Sequence, residues 1–193
     1  MNLYNAATSV VDWSEKYHNS FLITANDEVL DFAVKNCIDQ GLPDIAVSAA
    51  QGKLLNLVAQ SIGAKRILEV GTLGGIWMGR ALPHDGTLIT LEIDTLHAKV
   101  SREENFAKAG LENKCKVTLS AAESMTNLHP GGMIIVDNVV RYGQVSDMSV
   151  NDVNSVGVRE MLATLKEDKD IDATTIATVG ERAFDGFMYA IRK

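Results

Sequence analysis

Two carboxylates and a cluster of glycines are the residues best placed to do chemistry in this chain. Glu69 lies near the end of an apolar run, RILEV, and is followed by Gly71, Thr72, Gly74 and Gly75. Glu92 closes a second run, TLITLE, 21 positions after Gly71. Glycine lets a backbone turn sharply and approach a ligand with no Cβ in the way. A carboxylate about 20 residues beyond such a turn suits a ribose, because its oxygens accept hydrogen bonds from the sugar hydroxyls. The spacing therefore points to a nucleoside-containing cofactor. A dinucleotide turn reads G-x-G-x-x-G and seats a pyrophosphate on a helix N-terminus; here the spacing is G-x-x-G-G with an acid beside it. An acid there repels phosphate and suits a cation such as the sulfonium and ammonium of S-adenosylmethionine. These residues favour a methyl donor over a dinucleotide, with a nucleotide-type unit that binds nothing as the plainer alternative.

Asp137 and Asn138 follow a third apolar run, GGMIIV. Asp-Asn in such a place is ordinarily a turn or a helix cap, yet both side chains offer the hard oxygen ligands that magnesium takes. His18, His84, His97 and His129 are scattered without metal-ligand spacing and read as surface or loop residues. Cys37 and Cys115 have neither metal nor redox spacing and read as reduced packing residues.

The elements that must position these groups follow from periodicity. Residues 66–70 form an apolar strand, the glycines a turn, residues 76–82 a helix and residues 87–93 a second strand, which together make a parallel βαβ unit. Upstream, Trp13, Tyr17 and Phe21 mark one helical face, either packing on the body or closing over a substrate. Asn26 and Asp27 cap a helix over 28–39, and Ser48 with Gln51 forms a capping box for another. Leu54, Leu55, Val58 and Ala59 are that second helix's expected buried face. Downstream come a helix over 96–110, a strand over 114–120, a buried strand over 133–136 and a helix over 153–166. A hairpin of strands 173–179 and 186–191 ends the chain. Alternating helices and strands closed by a hairpin make an α/β sheet, parallel except at one edge.

With 193 residues, 46% of them hydrophobic, the chain is expected to form one domain around a single core. The net charge of −7 argues against nucleic acid as a partner, since a phosphate backbone calls for clustered Lys and Arg. No apolar stretch approaches the roughly 18 residues of a membrane span, and the N-terminus lacks the basic-then-apolar pattern of a secretory signal. A cytoplasmic location is the expectation.

The segments RILEVGTLGG, LITLEID, GGMIIVDNVVRYGQV and ATVGERAFDGFMYAIRK, in that order, resemble the cation-dependent O-methyltransferases of the catechol and caffeoyl-CoA type. The resemblance covers residues 44–193. It implies a Rossmann-like, doubly wound, mostly parallel sheet with an antiparallel C-terminal hairpin strand. It also implies methyl transfer from S-adenosylmethionine to a hydroxyl of a small catechol-like aromatic, assisted by a divalent cation, and a homodimer. By that likeness Val47, Glu69, Gly71, Thr72 and Gly75 would surround the methionine end of the donor. Glu92 would hold the ribose, Ala122 would sit against the adenine, and Asp137 with Asn138 would supply two of three protein ligands to the metal.

Two departures accompany the likeness. Gly75 runs directly into Ile76-Trp77, where the family continues Gly-Gly-Tyr-Ser-Thr, so a hydroxyl beside the donor is missing. Only the dozen residues 121–132 separate the third and fourth strands. A crossover alone takes about 10–12 residues and a full unit about 30, so the family's central strand, with its metal carboxylate and a lysine, has no counterpart. A catalytically impaired or non-catalytic nucleoside-binding form of the family is the alternative this leaves open.

Overall fold

The computed structural model describes residues 14–43, 45–71, 74–119, 129–179 and 184–193. These residues fall into two compact units: 19–119 form one, and 129–193 with 14–18 form the other. Helix α1 spans 14–22, where Tyr17 and Phe21 lie exposed, so the apolar face marked by their spacing is not buried. Trp13, the third residue of that stripe, lies outside the described residues.

The first unit holds α2 (Glu28–Asp39), α3 (Ala49–Ser61), β1 (Arg66–Val70), α4 (Gly75–Ala81), β2 (Thr87–Glu92) and β3 (Cys115–Leu119). Between β2 and β3 runs α5, which begins as an α-helix (Thr95–Lys99), widens to a π-helix (Val100–Asn105) and ends in a last α-turn (Phe106–Lys108). Asp27 starts α2 by accepting from the amides of Val29 and Leu30. The same carboxylate receives a two-pronged Arg80 guanidinium, at 2.6 and 3.0 Å, which ties α2 to α4. Ser48 and Gln51 form the expected capping box on α3. The buried face of α3 differs from the expected leucine stripe: Gly52, Asn56 and Ala59 are buried, while Leu54 is exposed. The reason is Trp77, whose indole lies so close to Gly52 that a Cβ there would be 2.3 Å from it. The Asn56 amide donates to the Trp77 carbonyl at 2.8 Å.

Strands β1, β2 and β3 are parallel neighbours in that order. Their register sets Ile67 beside Leu88 and Cys115, and Glu69 beside Thr90 and Val117. That face is covered: Leu88 packs with Ile76, Leu82, Phe106, Leu111 and Cys115. The other face carries Leu68 at 49%, Val70 at 47% and Ile89 at 39% exposure. A parallel sheet is normally covered on both faces by its crossover helices. Residues 120–132 lead from β3 to the next strand, fewer than the roughly 30 of a full crossover-and-strand unit, and β1 is not the buried strand its apolar composition predicts.

The second unit holds β4 (Met133–Val136), α6 (Val153–Glu167), β5 (Ile171–Val179) and β6 (Phe184–Arg192). Strand β6 lies between β4 and β5 and is antiparallel to both. Met188, Ala190 and Val139 form its core, with Val158, Met161 and Leu165 of α6 packed on them. Asp152 caps α6 through the amides of Asn154 and Ser155. The α/β architecture with a reversed C-terminal strand is as expected. The finding beyond it is that, among the described residues, β1 and β4 belong to separate sheets. Among the described residues no helix is long and apolar enough to cross a membrane.

Candidate functional site

Glu69 sits under the glycine turn with both oxygens engaged. Its Oε1 accepts from the Gly74 amide at 2.7 Å, and its Oε2 accepts from the Thr90 hydroxyl at 2.8 Å. The residue is 9% exposed. What Glu69 offers a bound cation is therefore its negative field, its oxygens being already bonded within the protein. That field reaches Cys115, whose thiol is pushed up to about 11 by burial, with the Glu69 charge adding to the effect. Cys115 stays protonated at neutral pH, in line with an inert packing cysteine.

The glycines have different tasks. Gly71 has φ +81°, a left-handed conformation that disfavours a side chain, while its amide bonds the Leu91 carbonyl at 2.8 Å. At Gly75 a Cβ would meet the Phe106 ring at 2.7 Å and Glu69 Oε2 at 3.2 Å. The space a side chain would need at 75 is filled by the protein itself.

Glu92 ends β2 with its carboxylate turned inward, the residue being 7% exposed. One oxygen accepts from the amides of Ile93 and Asp94, at 2.8 and 3.0 Å. The other lies 3.9 Å from His97 Nδ1. Asp94 in turn accepts from the amides of Leu96 and His97, which starts α5 and brings the imidazole back toward Glu92. Those backbone bonds also hold the Asp94 carboxyl below its usual range. The sequence reading took His97 for a surface or loop residue; the signal it missed is the Asp94 cap, which folds the residue three positions on against Glu92.

A cavity of about 290 Å³ opens beside the turn, between α2, residues 42–49, residues 74–77 and α5. Val47 and Gly75, both expected at the donor, line it; Glu69, Gly71 and Glu92 do not. Thr72 and Ala122 lie outside the described residues. Cys37, His97, Ser101 and Asn105 also border the cavity, none of them expected from the sequence. Asn36 and Asn105 bond at 3.0 Å within the protein, linking α2 to the π-turn of α5.

Asp137 and Asn138 lie in the other unit, just past β4. Asn138 is left-handed (φ +60°), as are Arg141 and Tyr142. Non-glycine residues held there are uncommon and concentrate at functional positions. Asp137 Oδ1 accepts from the Asn138 amide at 2.9 Å. Asp185 in β6 braces this segment by accepting from the amides of Val140, Arg141 and Gly186. Although Asp137 is a surface residue, partial loss of hydration pushes its carboxyl above the usual range; the Asp185 charge adds to this and the Asn138 bond opposes it. A carboxylate and an amide oxygen on adjacent residues are the right donor types for a hard divalent cation. Among the described residues no group of three or more His, Cys, Asp or Glu is placed to hold one.

The donor-type chemistry is matched by comparison with known proteins. A family model described as O-methyltransferase matches residues 21–128. The chain is 35% identical to a catechol O-methyltransferase of Niastella koreensis, a match covering 93% of this chain and 97% of that protein. That alignment runs over 215 positions, more than the 193 residues present here, so the relative carries residues with no counterpart in this chain. An O-methyltransferase of Bacillus cereus in complex with SAH superposes with a TM-score of 0.89 at 31% identity, covering 96% of this chain and 100% of that one. TomG of Streptomyces achromogenes, an O-methyltransferase involved in tomaymycin synthesis and solved with SAM, gives 0.87 at 32%, covering 96% and 98%. With the inward acids at 69 and 92 and the glycine turn between them, these matches place the chain in the class I S-adenosylmethionine-dependent O-methyltransferase family.

Proposed function

We propose that this enzyme methylates a hydroxyl of a small catechol-like aromatic, with a divalent cation, most simply magnesium, held by Asp137 and Asn138. The observation that carries the donor half is the Glu92 carboxylate, buried at the end of β2 and fixed by two backbone amides. A ribose diol is the ligand such a fixed acceptor suits. Val47, Glu69, Gly71, Thr72 and Gly75 are assigned to the methionine end and Ala122 to the adenine. S-adenosylmethionine, when bound, supplies the methyl group on a sulfonium. Glu69 contributes a negative field toward that charge and keeps the turn rigid through Gly74. The catechol-like acceptor is supported by the name of the Niastella relative.

For the cation, the support is the donor pair and the left-handed backbone at Asn138. A divalent ion there would lower the pKa of a phenol, ordinarily near 10 like that of tyrosine, and hold vicinal oxygens together. Asp137 must be ionised to bind it, and its upward-shifted carboxyl makes metal affinity fall on acidification sooner than at an ordinary carboxylate. A homodimer, resting on the family likeness, and a cytoplasmic location complete the reading.

The test is calorimetric titration with S-adenosylmethionine and with NAD, followed by turnover of catechol with magnesium and with chelator. Donor binding weakened about tenfold or more by Glu92→Gln, roughly 1.4 kcal/mol, together with magnesium-dependent turnover lost in Asp137→Ala, is the expected result. NAD binding alone would sink the proposal. Donor binding with no methyl transfer would instead favour the non-catalytic form left open by the missing strand.

A further inference from the structure

We infer that His97 is a positioning residue for the methyl donor: its neutral imidazole keeps Glu92 turned toward the ribose diol, and a proton on the ring draws the carboxylate away. The inference rests on the reading of Glu92 as the ribose acceptor. Glu92, Asp94 and His97 form a closed circuit. The Glu92 carboxylate accepts from the Asp94 amide at 3.0 Å. The Asp94 carboxylate accepts from the His97 amide, also at 3.0 Å. The His97 ring returns to Glu92, its Nδ1 lying 3.9 Å from Oε2. Asp94 is the residue that caps α5, so a backbone cap, and not a flexible stem, sets where the ring stands.

A separation of 3.9 Å is too long for a hydrogen bond and short enough for strong attraction once the ring is charged. The Glu92 side chain is 8% exposed and that of His97 24%, so salt and solvent screen the pair weakly. Neutral, the ring walls the carboxylate and keeps it turned inward. Protonated, it competes with the diol for Oε2, while Oε1 stays with the amides of Ile93 and Asp94. The proton also adds positive charge beside a donor that is itself a sulfonium cation. The other charged groups facing the ring are carboxylates. Asp94 lies in its own turn, and Asp27 and Asp31 of α2 stand across the cavity that His97 borders, Asp27 being paired with Arg80 of α4. Cys37 of α2 borders the same cavity. Among these side-chain types, imidazole is the one whose charge ordinarily changes between about pH 5 and 8.

The experiment titrates S-adenosylmethionine into the full chain by calorimetry from about pH 7.5 down to about 5.5, with EDTA present so that no metal enters. Wild-type affinity should fall about fivefold or more across that range. His97→Ala should weaken binding about threefold or more at the upper pH, because the carboxylate loses its wall, and should remove the pH dependence. His97→Gln, neutral and of similar reach, should recover the affinity lost in His97→Ala and stay flat with pH. A merely structural role would not separate affinity from slope in this way. Circular dichroism checks both folds; should His97→Ala not fold, the slope of His97→Gln against wild type decides. Glu92→Gln separates this inference from the reading beneath it: donor affinity untouched by that change overturns the ribose assignment and the role of His97 together. Weakened binding in Glu92→Gln alongside a wild-type slope in His97→Gln overturns the role of His97 alone. So does full affinity in folded His97→Ala, or donor binding that tightens on acidification.

Discussion

Glu69 and Thr90 stand opposite one another in the β1–β2 ladder, and the Thr90 hydroxyl donates to the Glu69 carboxylate at 2.8 Å. Thr90 is fully buried, so no water can replace it easily. Thr90→Val keeps the shape and removes the donor, leaving a buried carboxylate short of one charge-assisted bond. The expected loss is about 1.5–3 kcal/mol, read from urea unfolding, with Thr90→Ser recovering most of it. Equal stability of the Val and Ser variants would show that the bond contributes nothing.

Gly75 illustrates how a glycine in a ligand-binding motif can be required by the protein's own packing. Gly75→Ala places a methyl against Phe106 at 2.7 Å, and overpacking of this kind costs about 1–3 kcal/mol. Phe106→Leu also destabilises when made alone, since the ring belongs to the core. Combined with Gly75→Ala it should cost less than the sum of the two, because the added methyl then occupies vacated space. A double-mutant cycle in thermal unfolding checks this; strict additivity would remove the clash as the reason for the glycine.

What the sequence made legible is local. The bounds of α2, β1 and β4 were readable to the residue because each is framed by a cap or by glycines: Asp27 before α2, Gly71 after β1, Gly131 and Gly132 before β4. Glu92 was legible because its spacing from the glycine turn is set by the length of one βαβ unit. The buried face of α3 was not, because apolar periodicity favoured its leucines while the contact that turns the helix is made by Trp77 on a glycine. His97 was hidden for a related reason: it meets Glu92 across the turn that Asp94 starts, and periodicity carries no record of that.

Asp27 gives a pH prediction with a definite sign. The Arg80 hydrogen bond, foremost among its causes, holds the Asp27 carboxyl below its ordinary value of 3.8. A carboxyl depressed in the folded state contributes stability that is fully present above the unfolded value and is lost as pH falls through the folded one. Arg80→Gln removes the leading cause while leaving the cap to Val29 and Leu30. Stability at neutral pH should drop by about 1 kcal/mol, and wild type and variant should converge below the folded value, where Asp27 is protonated in both. Unfolding followed from pH 7 down to the acid limit measures it; parallel curves with a constant gap would mean that the Arg80 effect is packing and not charge.

The bare side of the parallel sheet predicts self-association. Leu68 and Val70 alternate with covered residues along β1 and are about half exposed, and among the described residues β1 has a ladder partner on one side only, β2. An apolar, unpaired edge is a template for pairing with another chain, which proteins usually block with a charge, a proline or a covering element. No such block lies on this strand's open face beyond Arg66 at its start. Leu68→Lys supplies one at its centre. Because the side chain is half in solvent, the folded unit should lose no more than about 0.5 kcal/mol. Sedimentation at rising concentration should show association in the wild type and a clear reduction in Leu68→Lys. Ile67→Lys is the control on the covered face, where a charge would enter the core beside Leu88, and it should unfold the unit outright. If Leu68→Lys associates as strongly as the wild type, the attraction lies elsewhere, and a dimer of the kind the family likeness implies becomes the simpler account.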